Sequence, residues 1–90
     1  MKYRSNSEIL GSILKAATGG ASKTKIMNEA FLSLSRLRDY LFTLQEKGLV
    51  EYQEDRQSFR STEKGIKLLQ IYNYLNEGLL ISNDRLGNNL

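Results

Sequence analysis

Ninety residues suit one small domain with a single core, which buries only about 60–65% of its unfolded surface. Hydrophobic residues make up 40% and charged residues 26%, the balance of a folded soluble chain. The sequence has no cysteine and no histidine, so disulfides, thiolate zinc sites and thiol catalysis are excluded, with the commonest general base and metal ligand. A net charge of +3 and a pI near 9.3 are mildly basic and permit a nucleic-acid partner without requiring one. No apolar run approaches the roughly 20 residues of a membrane span, and Met1 to Arg4 leads into no signal-peptide core. The expectation is a soluble, cytoplasmic protein with no membrane partner.

In chain order, Ser5-Asn6-Ser7-Glu8 has the spacing of a capping box, and Ile9, Leu10, Ile13, Leu14 and Ala17 follow at helical intervals. The first helix is expected to stop at Thr18-Gly19-Gly20. Ser22 caps a second predicted helix of about ten residues ending near Phe31, with Ile26, Met27 and Ala30 inward. A connection around Phe31, Leu32 and Ser33 is short enough to force a steep crossing into the third helix.

That third helix, Ser33 to Gly48, organises the chain. Leu34, Leu37, Leu41 and Leu44 form one apolar face, Ser33 caps the start, and Gly48 supplies a left-handed end. Ser35, Arg36, Asp39 and Thr43 lie opposite the leucines, flanked by Arg38 and Tyr40. After Gly48 the period changes. Leu49 to Glu54 alternates as a strand, Asp55-Arg56-Gln57 turns, and Ser58 to Ser61 returns. Such a hairpin is marginal alone and must pack through Leu49, Val50 and Phe59. Thr62 then caps a last helix, apolar on more than one face, expected over 62–81. Residues 82–90 read as a polar flexible tail. The expected fold is mostly α with a small sheet (α+β), a winged helix-turn-helix of three helices, a two-stranded wing and a C-terminal helix, one domain over 1–81.

Four segments carry a family resemblance: Glu8-Ile9-Leu10 with Ile13-Leu14; Ser22-Lys23-Thr24-Lys25-Ile26-Met27; Leu32 to Leu41; and Glu46-Lys47-Gly48-Leu49-Val50 with Thr62-Glu63-Lys64-Gly65. Over roughly Glu8 to Leu75 the chain resembles the small archaeal winged-helix proteins that include dimeric, chromatin-associated DNA-binding members. The resemblance implies sequence-tolerant or regulatory DNA binding, an archaeal or archaeal-virus source, and antiparallel pairing of the last helix with that of a second subunit. The last helix departs from the pattern, being read as short and carrying Asn73, Asn76 and Gly78, so a brief dimer contact is expected.

The residues point to double-stranded DNA as partner. Ser35, Arg36, Asp39 and Thr43 would face the major groove, Arg36 being suited to two bonds with guanine. Arg38 and Tyr40 would meet the groove wall or phosphates, although Tyr40 equally suits half-buried packing. Asp39 would accept from a cytosine amine or orient Arg36. Ser33 caps this helix, while Lys23, Thr24 and Lys25 at the second helix start suit a phosphate, and Arg56 at the hairpin tip would reach the adjacent backbone or minor groove. Leu68, Ile71, Tyr72, Leu75 and Leu79 are the expected homodimer contacts. The blander readings are a solvated basic face and leucines that only close the monomer's own core. A winged-helix protein adaptor without strong DNA binding is the alternative function. No enzyme is expected, because no carboxylate pair and no phosphate loop is visible, and neither a metal, a cofactor nor a small-molecule ligand is indicated. A nucleoid-associated regulator or chromatin protein is the combined expectation.

Overall fold

The computed structural model describes residues 4–89, with side chains described up to Asn76. Its elements are α1 (Asn6–Ala16), α2 (Lys23–Ala30), α3 (Leu34–Glu46), β1 (Val50–Gln53), β2 (Ser58–Ser61) and α4 (Glu63–Asn89). Each of the first three helices starts at the expected serine. Ser5 and Glu8 form the complete capping box, Ser22 accepts from the Lys25 amide, and Ser33 accepts from the Arg36 amide. These bonds satisfy amides that a helix start leaves free.

The core is built from Ile9, Ile13 and Leu14 of α1, Ile26 and Ala30 of α2, and Leu37, Leu41 and Leu44 of α3, with Leu49, Val50 and Phe59 from the hairpin. Leu34 departs from expectation. It is 40% exposed, because the first turn of α3 overhangs the end of this core. The second helix is also shorter than expected, at eight residues. It ends at Phe31, whose backbone is left-handed (φ 54°) and which lets Leu32 N–H reach the Met27 carbonyl. Glycine or asparagine normally fills that position.

The hairpin pairs Val50 with Ser61, Glu51 with Arg60, Tyr52 with Phe59 and Gln53 with Ser58. The Tyr52 and Phe59 rings sit 4.9 Å apart. Beyond its turn role, Gly19-Gly20 has a second consequence: left-handed backbone at both glycines carries Ala21 alongside β2, where Ala21 and Phe59 exchange two backbone bonds of 2.8 Å. The wing is thereby tied to the start of α2. Buried Ser61 donates its hydroxyl to the Leu14 carbonyl at 2.7 Å, joining β2 to α1.

The junction of α3, β1 and α4 is tight. Gly48 is left-handed (φ 71°), and Leu49 N–H closes the turn on the Leu44 carbonyl. The Thr62 hydroxyl donates to the Gly48 carbonyl and accepts from the Gly65 amide, while Lys64 donates to the Lys47 carbonyl. Gly65 lies directly against the Leu49 carbonyl, leaving no room for a Cβ. The two sequence segments ending in Leu49-Val50 and starting at Thr62 therefore face one another.

The last helix has 27 residues. It is not short, and it runs on through the segment where a polar tail from residue 82 was expected. Loss of the apolar stripe there removes a packing face but not a backbone bond, and no proline interrupts the segment. Leu69 packs on the core. Tyr72 covers Gly11 of α1, so closely that a Cβ there would lie 3.1 Å from the ring. Among the described residues no helix is long and apolar enough to cross a membrane.

Candidate nucleic-acid interface

With Leu37, Leu41 and Leu44 buried, the 100° step of an α-helix turns Ser35, Asp39, Phe42 and Thr43 outward. All four are exposed, as are Arg36 and Arg38. This outward face has two sides. On one, Arg36, Asp39, Tyr40 and Thr43 line a shallow hollow. Tyr40 donates its hydroxyl to the Asn6 side chain at 3.0 Å, and Arg36 donates to the Tyr40 oxygen at 3.4 Å. The Arg36 guanidinium also lies 5.9 Å from the Tyr40 ring centre, within the range of a cation–π contact. Tyr40 is half-buried against the core. The pair leans toward α1, so Arg36 is held to one side of the outward line.

The other side faces the wing. Lys23 of α2, Gln45 of α3, and Tyr52, Gln57 and Phe59 of the hairpin line one hollow. The start of α2, the second half of α3 and the wing thus meet around a common surface. The Ala21–Phe59 bridge fixes the wing against the start of α2. Arg38, five residues along α3, is exposed on this side without a hydrogen bond or ion pair among the described residues.

The cations at the start of α2 differ in kind. Lys25 lies 3.8 Å from Glu29, with both side chains largely in solvent, so part of its field is offset locally at little energetic gain. Lys23 is partly covered and Thr24 exposed. Arg56 sits in the four-residue tip between strands, its amide bonded to the Gln53 carbonyl, but Glu54 and Asp55 share that tip. Ser33 spends its hydroxyl acceptor on the Arg36 amide. The geometry thus brings Arg36, Asp39, Tyr40 and Thr43 together on one side of the outward face, with Arg36 and Tyr40 as a bonded pair, places Ser35 and Arg38 beside them, and flanks the face with Lys23 and Thr24. Gln45 and Phe42 belong to the same surface and were not expected there. Their places on the helical wheel were readable, but each also suits a solvated or half-buried position.

Among the described residues no group of histidine, cysteine, aspartate and glutamate could hold a metal ion. Of the expected α4 contacts, Leu68, Ile71 and Leu75 are exposed and Tyr72 is partly covered by α1; Leu79 lies outside the described side chains.

Three helices, the third backed by leucines, followed by a two-stranded wing define a winged helix-turn-helix protein. The chain belongs to the winged helix-turn-helix family, whose family model matches residues 3–79. It is similar to Sso10a-2, a DNA-binding protein from Sulfolobus solfataricus, at 20% identity over 97% of each chain with a TM-score of 0.72. It is also similar to wild-type ZitR from Lactococcus lactis, at 20% identity and a TM-score of 0.68. ZitR in complex with DNA matches at 19% identity with the same TM-score. All of this chain is covered by the ZitR matches, but it spans only 64% and 65% of the ZitR chains. At these identities the likeness is one of fold. No curated protein matches the chain.

Proposed function

We propose that this chain binds double-stranded DNA as a homodimer, as a transcriptional regulator or a chromatin protein of the nucleoid. The observation that carries this reading is the single surface on which the outward face of α3, the start of α2 and the wing converge. Ser35, Arg38, Asp39 and Thr43 enter the major groove, Lys23, Thr24 and Lys25 meet a phosphate at the α2 N-terminus, and Arg56 reaches the flanking backbone. Arg36 and Tyr40 stand at the groove edge. The solved DNA complex of ZitR, with the same fold, supports this reading.

The functional unit takes in the winged-helix domain and the whole of α4, which continues past the expected boundary at residue 81 to Asn89. Leu68, Ile71 and Leu75 recur at intervals of three and four along α4 and are exposed, Leu75 by 55%. A second copy of α4 laid along them covers this stripe.

Binding of a labelled mixed-sequence duplex, measured across salt concentrations, tests the DNA reading. Log affinity is expected to fall with log salt with a slope of about −3 to −5, roughly −0.9 for each phosphate contacted. Absence of binding at low salt would overturn it and leave the protein-adaptor function in its place.

A further inference from the structure

The outward face of α3 holds one side chain that neither the fold nor its polar neighbours account for. Phe42 is 65% exposed and is absent from the partly buried residues that pack against the core. On the helical wheel it lies about 130° from the centre of the buried leucines, toward the wing. Its neighbours one turn away are Arg38, Asp39, Gln45 and Glu46, all exposed. The other exposed large apolar residue of α3, Leu34, lies about 12 Å away along the helix axis. Within α3, Phe42 is therefore a lone ring among polar and charged neighbours.

We propose that Phe42 reads thymine, packing its ring against the 5-methyl group in the major groove. The proposal rests on the DNA-binding reading above. Among the base edges of the major groove, thymine alone presents a methyl group; the other features are donors and acceptors. A phenyl ring over those would strip their hydration and return no hydrogen bond. Over thymine it buries apolar surface on both partners. Phe42 thus makes the protein favour A·T pairs under the third turn of α3. Gln45 stands one turn further along, and its amide matches the N6 and N7 edge of adenine.

The test compares two duplexes of one mixed sequence, one carrying thymine and the other uracil at every such position, so that only the methyl groups differ. Wild type and Phe42→Ala are measured on both at one low salt concentration, with circular dichroism confirming the fold of the variant. Wild type is expected to bind the uracil duplex at least about 4-fold more weakly, the fold-change for one methyl-sized group, about 0.8 kcal/mol. Phe42→Ala is expected to bind both duplexes alike, near the level of wild type on uracil. Equal wild-type affinity for the two duplexes, or discrimination retained by Phe42→Ala, overturns the thymine contact and leaves DNA binding standing. Failure of wild type to bind either duplex overturns both.

Discussion

The Thr62 hydroxyl donates to the Gly48 carbonyl across 2.6 Å, so the residue that ends α3 is bonded to the cap of the last helix. The same oxygen accepts from the Gly65 amide, and the Thr62 amide donates to the Leu49 carbonyl. A single threonine thus links the end of α3, the start of β1 and the first turn of α4. Gly65 completes the junction by letting α4 approach the Leu49 backbone.

Gly65→Ala is expected to destabilise the protein strongly. The added Cβ meets the Leu49 carbonyl, with Leu14 Cδ2 at 3.2 Å behind it, and backbone yields less readily than a side-chain tip. Overpacking of this kind costs about 1–3 kcal/mol, which lowers Tm by on the order of 10 °C in a domain this small. Thermal unfolding followed by circular dichroism checks it, and an unchanged Tm would show that α4 can lift off β1 at no cost.

Phe31→Asn is expected to be neutral or stabilising by about 0.5–1 kcal/mol. Phe31 is 84% exposed and left-handed, so its ring contributes little packing while its Cβ is strained. Asparagine tolerates this backbone, and the bond from the Arg4 guanidinium goes to the residue 31 carbonyl, which the substitution retains. Urea titration reads the midpoint; a clear loss of stability would mean that the ring is held against something.

On DNA, Lys23→Ala is expected to weaken binding by a similar factor across sequences and to make the salt slope shallower by about 0.9, the loss of one phosphate. Arg38→Ala is expected to weaken binding more than Arg36→Ala does, because the Arg36 guanidinium is already engaged by Tyr40. Titrations of the three variants at several salt concentrations separate these effects. A larger loss for Arg36→Ala would reverse the ranking and place the Arg36–Tyr40 side in the groove.

Leu75→Glu is expected to leave the fold intact and abolish the dimer. Leu75 lies outside the core cluster, so the carboxylate stays in water in a monomer but is buried when two stripes meet. Sedimentation over a concentration series gives the mass. A wild type that stays monomeric throughout would remove the dimer from the proposal.

The helix starts were legible because Ser5, Ser22, Ser33 and Thr62 each precede an apolar periodicity and carry a hydroxyl suited to free amides. Gly48 and the hairpin were legible because the glycine closes the leucine stripe and the period changes after it. Other features left no such mark. Ala21 pairs with Phe59 as a single residue, too short to show alternation. Leu34 continues the leucine spacing, but periodicity does not say where the core beneath a helix ends. The extension of α4 past residue 81 was hidden because the polar residues that signal a tail are also compatible with a solvated helix. At the candidate interface, charges and hydroxyls stood out as residue types, whereas the Arg36–Tyr40–Asn6 chain depends on the approach of α1 from 34 residues away. The Thr62-Glu63-Lys64-Gly65 run carried the resemblance, and its physical reason, contact with Gly48 and Leu49, emerged only in three dimensions.

At 1.5 Å per residue, the 27 residues of α4 span about 40 Å, slightly more than one turn of B-DNA, about 34–36 Å. Because Thr62 and Gly65 weld its base to the end of α3, this helix acts as a yardstick. In the proposed dimer, the point along it at which two copies cross sets both the separation and the rotational phase of the two reading helices. Moving that crossing point by a helical turn would therefore re-space the half-sites on the duplex without altering any residue that touches a base.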